Sequence, residues 1–213
     1  MIAIVDYGVG NLFSLTGSLR HLGLDCAVTA DARTLEQADH IILPGVGAFG
    51  DAMEKLRATG LIPALDAQVR AGKPFLGICL GMQLLFEESL EYGRHAGLGY
   101  LPGRVVPLAE AFDAQGIRLK VPHIGWNDLT LTSAHPLMRH TQNGDFVYFV
   151  HSYYAVDCRQ SIAATAHYGV DVPAAVARGN VCGCQFHPEK SGPVGLRILQ
   201  AFAAFDGKTG GAC

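Results

Sequence analysis

The amino-acid sequence predicts an α/β fold: an open, mostly parallel (mixed) sheet with helices on both faces. Short apolar, β-branched runs alternate with segments of helical periodicity through the first half of the chain. From about residue 97 to residue 181 the pattern changes to short strand-like runs separated by Gly, Pro, Asn and Asp. This second half is therefore predicted to be a strand-rich, mainly antiparallel section. Apolar residues make up 49% of the 213 residues, enough to bury a sizeable core.

The elements follow in chain order. The opening run IAIVD is typical of a buried parallel strand, and leucines then recur at helical spacing. CAVT and HIILP predict two more strands, and amphipathic helices are predicted around 53–57 and 61–69. The strand PFLGI is followed by a predicted helix over LGMQLLFEE. The antiparallel section contains the runs GRVVP, DLTLT, FVYFV, YYAV, AATAHYG and AAVA. VCGCQF is the last strand, and a final amphipathic helix is predicted near 196–205.

Composition narrows the function classes. The formal net charge is −3 with both signs interspersed, so neither nucleic acid nor an anionic membrane is an evident partner. The N-terminal run MIAIVDYG has no basic segment followed by a long apolar stretch, which indicates an unexported, cytoplasmic protein. No composition shift marks a linker, so residues 1–206 are expected to form a single domain, with a frayed tail at 207–213.

Six cysteines are scattered through the chain, and reduced thiols are expected because a core of this size needs no disulfides. Cys182 and Cys184 would share one face of a strand, so a metal site is a conceivable alternative there. No further group of ligands stands nearby in the sequence. We therefore predict no metal and no cofactor.

The strongest chemical motif is Gly77-Ile78-Cys79-Leu80-Gly81, between an apolar strand and a predicted helix. This spacing is typical of a sharp strand-to-helix turn that projects a nucleophile, with Cys in place of Ser. A thiol at a helix N-terminus is favoured as a thiolate, and the Leu80 N–H can donate to an oxyanion. The alternative is a buried structural cysteine, which the two flanking glycines argue against.

His187-Pro188-Glu189 can supply a base and its orienting carboxylate. The segment follows a predicted strand, so His187 would lie at the same edge of the parallel sheet as Cys79. An isolated H-x-E is most often a surface pair, but the matching strand end favours a catalytic role. Metal or catalytic roles are not expected for the histidines at 21, 40, 95, 135, 140 and 167.

Pro44-Gly45-Val46-Gly47 follows the strand HIIL. Two glycines flanking Val46 would let its peptide turn and present an N–H to a substrate oxygen. An ordinary β-to-α turn is an equally good reading of this segment.

Together, GICLGMQ, PGVG and HPEKSG resemble the class I, or triad, glutamine amidotransferases, a flavodoxin-like family. The further segments DYGVGNL, PGVGAFGDAM, GMQLLFEES, VPHIGWN, FVHSYYA and QFHPEKSG are similar to the glutaminase subunits of imidazole glycerol phosphate synthase. The similarity runs from residue 2 to about residue 205. It implies hydrolysis of L-glutamine through a γ-glutamyl thioester on Cys79, with His187 and Glu189 completing the triad.

The resemblance also implies roles that spacing alone does not indicate. Val46 and Leu80 match the oxyanion-hole positions. Positions that contact glutamine in the family match Gly47, Gln83, Glu91, Ser152 and Tyr153. Positions at or near a partner interface match Asn11, Ser14, Trp126 and Lys190. That partner is a separate (β/α)8-barrel cyclase subunit, which receives the ammonia in a heterodimer and makes imidazole glycerol phosphate and an aminoimidazole carboxamide ribonucleotide. For Trp126, a half-buried core position is the alternative.

Two other functional classes are alternatives to a partner-dependent amidotransferase. A stand-alone cysteine hydrolase, such as a γ-glutamyl hydrolase, would use the same triad without passing ammonia to a partner, but VPHIGWN and DYGVGNL argue against it. A non-catalytic scaffold subunit would not need Cys79, His187 and Glu189 together. We therefore predict a partner-dependent amidotransferase.

Overall fold

A computed structural model describes residues 1–208; the predicted frayed tail lies mostly outside the described residues, at 209–213. The helices are Leu12–His21 (α1), Ala32–Gln37 (α2), Phe49–Ala58 (α3), Ile62–Arg70 (α4), Leu80–Gln83 (α5), Leu108–Gln115 (α6) and Gly192–Ala203 (α7). The strands are Ile2–Val5 (β1), Cys26–Thr29 (β2), His40–Gly45 (β3), Phe75–Cys79 (β4), Glu88–Ser89 (β5), His95–Ala96 (β6), Arg104–Pro107 (β7), His123–Asp128 (β8), Thr130–Leu131 (β9), Phe146–His151 (β10), Tyr153–Val156 (β11), Ile162–Tyr168 (β12), Val170–Arg178 (β13) and Val181–Cys184 (β14).

The main sheet has eight strands in the order β2-β1-β3-β4-β14-β13-β12-β9. The first five run parallel, and β13, β12 and β9 join them through antiparallel pairs. Two smaller sheets, β10-β8 and β11-β7-β5-β6, are built mainly from antiparallel pairs. The prediction of a mixed, mostly parallel sheet with an antiparallel section is confirmed.

The two faces of the sheet bury different helices. In β1, Ile2 and Ile4 belong to an apolar cluster with residues of α1 and α7, whereas Ala3 and Val5 pack with residues of α2, α3 and α4. This division follows from the period of two along a strand, which sends alternate side chains to opposite faces. Helices therefore cover both faces, as the sequence predicts.

The predicted helix over LGMQLLFEE is wrong in length, because α5 ends at Gln83. The carbonyls of Leu84, Leu85 and Phe86 accept hydrogen bonds from the backbone of 98–101 instead of from a continuing helix. Those three side chains are also fully buried. Tertiary hydrogen bonding thus replaces the helical ladder, and a helix of four residues has little macrodipole to offer Cys79.

The helix α6 lies in the section predicted to be strands. Its sequence, LAEAFDAQ, buries Leu108 and Phe112 one turn apart, and Gly116 ends it in the left-handed conformation at φ +68°. Glycine is favoured there because a Cβ is strained at that φ. The prediction missed α6 because only two of its positions are buried, too few for a clear period.

Within residues 1–208, no helix has the length and apolarity needed to cross a bilayer.

The paired cysteines are packed in the core. Cys182 and Cys184 are both fully buried in the cluster shared with α1 and α7. Burial raises the pKa of both thiols, which favours the protonated form of a packed cysteine.

The carboxyl ends of three neighbouring parallel strands determine where the site lies. Gly45 at the end of β3 pairs with Cys79 at the end of β4, and Cys184 at the end of β14 pairs with Ile78. The segments that follow these strands therefore meet at one edge of the sheet. Open α/β sheets place ligands at this edge.

Candidate active site

Cys79 occupies a strained turn between β4 and α5. Its backbone has φ +55° and ψ −112°, a conformation that non-glycine residues rarely adopt. The flanking glycines permit the turn: a Cβ on Gly77 would lie 2.6 Å from the Gly81 carbonyl oxygen, and one on Gly81 would lie 1.8 Å from the Leu43 carbonyl oxygen. The two glycines thus allow β3, β4 and α5 to approach closely behind the thiol.

His187 and Glu189 follow β14, the strand beside β4. His187 Nδ1 lies 2.8 Å from Glu189 Oε1, and each side chain is only 3% exposed. The backbone of His187 is held by a hydrogen bond from its N–H to the Tyr148 carbonyl (2.9 Å), while its own carbonyl accepts from the Ser191 hydroxyl (2.7 Å). The imidazole is thus fixed with Nδ1 toward the carboxylate and Nε2 left for chemistry.

The charge state of His187 results from competing effects. Burial opposes protonation, but the neighbouring Cys79 and Glu189 outweigh it and raise the pKa of His187 to about 9. Its Nε2 is buried without a hydrogen-bond partner among the described residues. Cys79 nevertheless acts on the imidazole both as a hydrogen-bond acceptor and through its charge, so the side chain faces the thiol. A protonated imidazole here favours a negatively charged sulfur and holds a proton ready for a leaving group.

A cavity of about 460 Å³ opens in front of Cys79, within the usual range for small-molecule sites. Thirteen other residues line it: Val46, Gly47, Leu80, Gln83, Glu91, Tyr92, Pro122, Val150, His151, Ser152, Tyr153, His187 and Lys190. Every residue that the resemblance places at the oxyanion hole or against glutamine is in this set. Glu189 is not, because it lies behind His187 and borders a separate cavity.

The segment after β3 passes from a tightly packed residue to an open one. A Cβ on Gly45 would lie 2.8 Å from both the Gly81 nitrogen and the Tyr7 hydroxyl, and Tyr7 donates to the Pro44 carbonyl at 2.7 Å. Val46 is 41% exposed, and Gly47 has φ +97° with nothing near its missing Cβ. Gly45 is thus packed in place, whereas Gly47 gives the backbone conformational freedom directly after Val46.

Glu91 connects the cavity to the start of α3. Its Oε2 accepts the Phe49 N–H at 2.5 Å, at a helix end where Ala48 offers no side-chain cap. Burial raises the pKa of the Glu91 carboxyl, with the Phe49 N–H opposing this. Glu91 therefore caps the helix that begins just after the Val46 segment, while its side chain also borders the cavity.

Sequence reasoning did not single out two buried histidines at the site: His151 lines the cavity, and His123 lies behind it. His123 Nδ1 lies 3.0 Å from His151 Nε2 across the β8-β10 pair, and His151 Nδ1 lies 2.9 Å from the Tyr153 carbonyl. Burial lowers the pKa of His123 to about 4 and that of His151 to about 3, so both rings are neutral at physiological pH. The sequence signal for these histidines was their position in apolar, strand-like runs, where a polar side chain is expected to be buried and hydrogen-bonded.

Sequence reasoning also missed Gln185, whose side chain lies against the Cys79 thiol. It is fully buried, and its Nε2 lies 3.9 Å from Cys79 Sγ. A polar residue at the end of the apolar strand VCGCQF could have indicated an inward-facing amide. No local pattern could have indicated what that amide contacts.

The predicted interface residues lie in two places. Trp126 is 55% exposed on β8, and Lys190 Nζ lies 5.8 Å from the centre of the Tyr148 ring, which itself contacts Trp126 edge-on. Asn11 caps α1 by accepting from the Ser14 N–H at 3.4 Å, and Ser14 borders the second cavity beside Glu189. Whether a partner covers any of the four remains a prediction.

The fold and this site define the class of protein. A cysteine in a strand-to-helix turn, with a His–Glu pair on the adjacent parallel strand, is the arrangement of a triad amidotransferase. The family model described as Glutamine amidotransferase class-I matches residues 3–204. Among solved structures, one titled "Crystal structure of glutamine amidotransferase" aligns with a TM-score of 0.74 and 21% identity over 96% of this chain and 98% of that one. This likeness shows the fold.

Comparison with curated relatives identifies the family within this class. "Imidazole glycerol phosphate synthase subunit HisH" of Syntrophotalea carbinolica is 51% identical over 95% of this chain and 98% of its own. The protein of the same name from Bacillus licheniformis is 52% identical over 96% of both chains, and that of Bacillus subtilis is 50% identical over 95% of both. The chain belongs to the HisH family of imidazole glycerol phosphate synthase subunits, within the class I glutamine amidotransferases.

Proposed function

We propose that this chain hydrolyses L-glutamine to glutamate and ammonia as the glutaminase subunit of an imidazole glycerol phosphate synthase in histidine biosynthesis. One observation carries the proposal: the Cys79 thiol lies in a strained turn at one end of the cavity, beside a His187 whose other nitrogen is 2.8 Å from Glu189. Identities near 50% to HisH proteins support the particular pathway.

In the first half of the reaction, the Cys79 sulfur attacks the side-chain carbonyl carbon of glutamine. The carbonyl oxygen becomes an oxyanion, which the N–H groups of Leu80 and Val46 are proposed to stabilise. His187 donates its Nε2 proton to the departing nitrogen as the C–N bond breaks. Ammonia leaves, and a γ-glutamyl thioester remains on Cys79.

In the second half, His187 is neutral and accepts a proton from water through Nε2. The resulting hydroxide attacks the thioester carbonyl, and the C–S bond breaks to leave a thiolate on Cys79. The new γ-carboxyl group releases its proton to solvent, and glutamate departs. Glu189 stabilises the imidazolium that forms at each turn of the cycle through its contact with Nδ1. Atoms and charges balance without any cofactor.

Substrate recognition is assigned to the remaining cavity residues. Gly47, Gln83, Glu91, Ser152 and Tyr153 border the space beside the thiol. The buried carboxylate of Glu91 is suited to an α-ammonium group, and the backbone around Ser152 offers polar groups to an α-carboxylate. The chain thus has complementary groups for an amino acid whose side-chain amide points at Cys79.

The partner is proposed to be a (β/α)8-barrel cyclase subunit that takes the ammonia directly. Together the two subunits would convert a phosphoribosyl-formimino carboxamide ribonucleotide to imidazole glycerol phosphate and an aminoimidazole carboxamide ribonucleotide. Asn11, Ser14, Trp126 and Lys190 are the proposed contacts. Residues 1–206 are proposed to act as one domain, and the cytoplasm is the proposed location.

Substitution of the nucleophile tests the chemistry. Cys79→Ala removes the sulfur that is proposed to form the thioester, so glutamine-dependent turnover in the complex should fall to background. Turnover with free ammonium should persist, because the cyclase does not need the thiol. Glutamate release from the Cys79→Ala complex at a wild-type rate would exclude this assignment of the nucleophile.

Control by the partner is proposed to act at the Val46 peptide. An uncontrolled glutaminase would waste glutamine, and a peptide between two glycines rotates at little cost. Glutamate release is therefore expected to be low in the free subunit and to rise at least tenfold when the cyclase and its nucleotide ligand are added, a change of about 1.4 kcal/mol in barrier. Equal rates with and without them would rule out this control.

A further inference from the structure

A buried hydrogen-bonded chain of two amides leads from the cavity wall to the thiol. Gln83 Nε2 donates to the Tyr153 carbonyl at 3.1 Å and to Gln185 Oε1 at 3.0 Å. Gln185 Nε2 in turn points at Cys79 Sγ from 3.9 Å. Gln83 is almost fully buried and Gln185 completely so, and the backbone N–H of Gln185 is held by the Ala174 carbonyl at 2.8 Å.

The direction of this chain is determined at one end. The Tyr153 carbonyl can only accept, so the atom of Gln83 that faces it must be the NH₂ group. The second N–H of that same group then faces Gln185, whose nearer atom must be its carbonyl oxygen. The NH₂ group of Gln185 is thereby turned toward the sulfur. A reversed amide at either residue would place two acceptors or two donors face to face.

The Tyr153 carbonyl is itself held in place. It also accepts from His151 Nδ1 at 2.9 Å, and His151 Nε2 lies 3.0 Å from His123 Nδ1. Since His151 Nδ1 donates, its Nε2 must accept, which makes His123 the donor in that contact. The fixed end of the amide chain is therefore anchored in the buried β8-β10 pair.

The sulfur experiences two opposing contacts. The Val150 carbonyl lies 4.0 Å from Sγ and can accept only from the neutral thiol, so it opposes ionisation. The Gln185 NH₂ group favours the thiolate, because a hydrogen bond to a charged acceptor is stronger than one to a neutral acceptor. Two side chains thus face Sγ, the His187 imidazole and the neutral amide of Gln185, and the amide is the donor that stays in place whatever the charge of His187.

We propose that Gln185 is a further catalytic residue, whose NH₂ group stabilises the Cys79 thiolate, and that Gln83 is the positioning residue that turns this amide toward the sulfur. The inference rests on the proposed role of Cys79 as nucleophile. It has a consequence for recognition: both N–H bonds of Gln83 are engaged, so only its Oε1 can face the substrate, as an acceptor for an N–H group.

Thiol alkylation tests the proposal without any substrate. The full-length protein would be treated with iodoacetamide at pH 7 and at pH 10, and the label on the peptide that contains Cys79 would be followed by mass spectrometry. For Gln185→Met, which keeps the side-chain length but removes the donor, the rate at pH 7 should fall about tenfold. At pH 10 the rates of variant and wild type should agree within about twofold, because alkaline solution favours the thiolate in both proteins whether or not the donor is present.

The controls distinguish a change in the ionisation of the Cys79 thiol from a change in the access of iodoacetamide to it. Gln115→Met carries the same substitution at an exposed position and should react like the wild type at both pH values. An unchanged or raised rate for Gln185→Met at pH 7 would overturn the proposal. So would an equal loss at both pH values, since that result indicates blocked access rather than altered ionisation.

A second variant covers the case in which Gln185→Met does not fold, as judged by circular dichroism. Gln83→Met leaves Gln185 in place but removes the group that orients it, so the rate at pH 7 should fall about threefold and recover at pH 10. No change at pH 7 in this variant would overturn the proposal as well.

Failure of this inference is distinguishable from failure of the proposed function. Wild-type alkylation of Gln185→Met, together with normal glutamine hydrolysis by the wild-type complex, would remove the role of Gln185 alone. A wild-type complex that does not hydrolyse glutamine would remove the proposed function, whatever the alkylation rates are.

Discussion

Replacement of Glu189 by glutamine tests the electrostatics of the site most directly. The change is nearly isosteric, so the buried pair keeps its packing while one negative charge is lost. Glu189 Oε1 lies 2.8 Å from His187 Nδ1, and both side chains are almost completely buried. A glutamine can also turn its NH₂ group toward Nδ1, which would move the imidazole proton to Nε2 and prevent that atom from acting as a base.

The size of the effect follows from the pKa of His187. That pKa is about 9 against an ordinary 6.5, a difference of 9 − 6.5 = 2.5 pH units, or about 3 kcal/mol at about 1.4 kcal/mol per unit. Burial works against this rise, and Cys79 and Glu189 together produce it. Loss of the Glu189 charge should lower the pKa of His187 by at least about one unit.

The same difference couples stability to pH. The folded state holds the His187 proton more tightly than the unfolded state, so the stabilisation is fully present below pH 6.5 and is lost as the pH rises through about 9. In Glu189→Gln this pH-dependent part should be smaller. Urea unfolding at pH 6 and at pH 10 would measure it in both proteins.

Activity gives the second measurement. Glutamate release by the complex should fall between about 10²- and 10⁴-fold in Glu189→Gln, the range for loss of a correctly oriented general base. In the wild type, the rate should decline as the pH rises through about 9, because His187 then no longer carries the proton that it donates to the departing nitrogen. In the variant, that decline should begin about one pH unit lower. A rate within threefold of wild type and an unshifted profile would refute this account of Glu189.

Two further predictions concern packing and the interface. Gly81→Ala should destabilise the protein by several kcal/mol, roughly 3 or more, in thermal unfolding, because its Cβ would lie 1.8 Å from the Leu43 carbonyl oxygen. Gly17→Ala, in α1 with open space around it, is the matched control and should stabilise by about 0.5–1 kcal/mol; equal effects would contradict the close approach. Trp126→Ala should weaken binding of the cyclase at least about tenfold in calorimetry. The melting temperature of the Trp126→Ala variant should match that of the wild type, because the tryptophan side chain is 55% exposed. A large drop in melting temperature would support a core role instead.

Local sequence patterns were sufficient to predict the fold class and the chemistry of the nucleophile. The apolar runs and the helical periodicity predict alternating strands and helices, because a strand or helix that is buried on one or both faces has apolar residues at a characteristic spacing. The glycines around Cys79 predict a strained turn, since few other residues allow backbone to approach so closely. The triad could be proposed because the carboxyl ends of parallel strands meet at one edge.

Other features depend on contacts between distant segments, which leave no local pattern. The helix after Cys79 ends early because backbone N–H groups of 98–101 donate hydrogen bonds to the carbonyls of 84–86. The His123–His151 pair and the Gln83–Gln185 chain join residues that are 28 and 102 positions apart. Residue types and spacing therefore determined the α/β sheet and were sufficient to predict a cysteine nucleophile in it. Only the tertiary structure decided which buried donors surround its sulfur, because a hydrogen-bond partner is chosen by proximity in space and by the direction of each group.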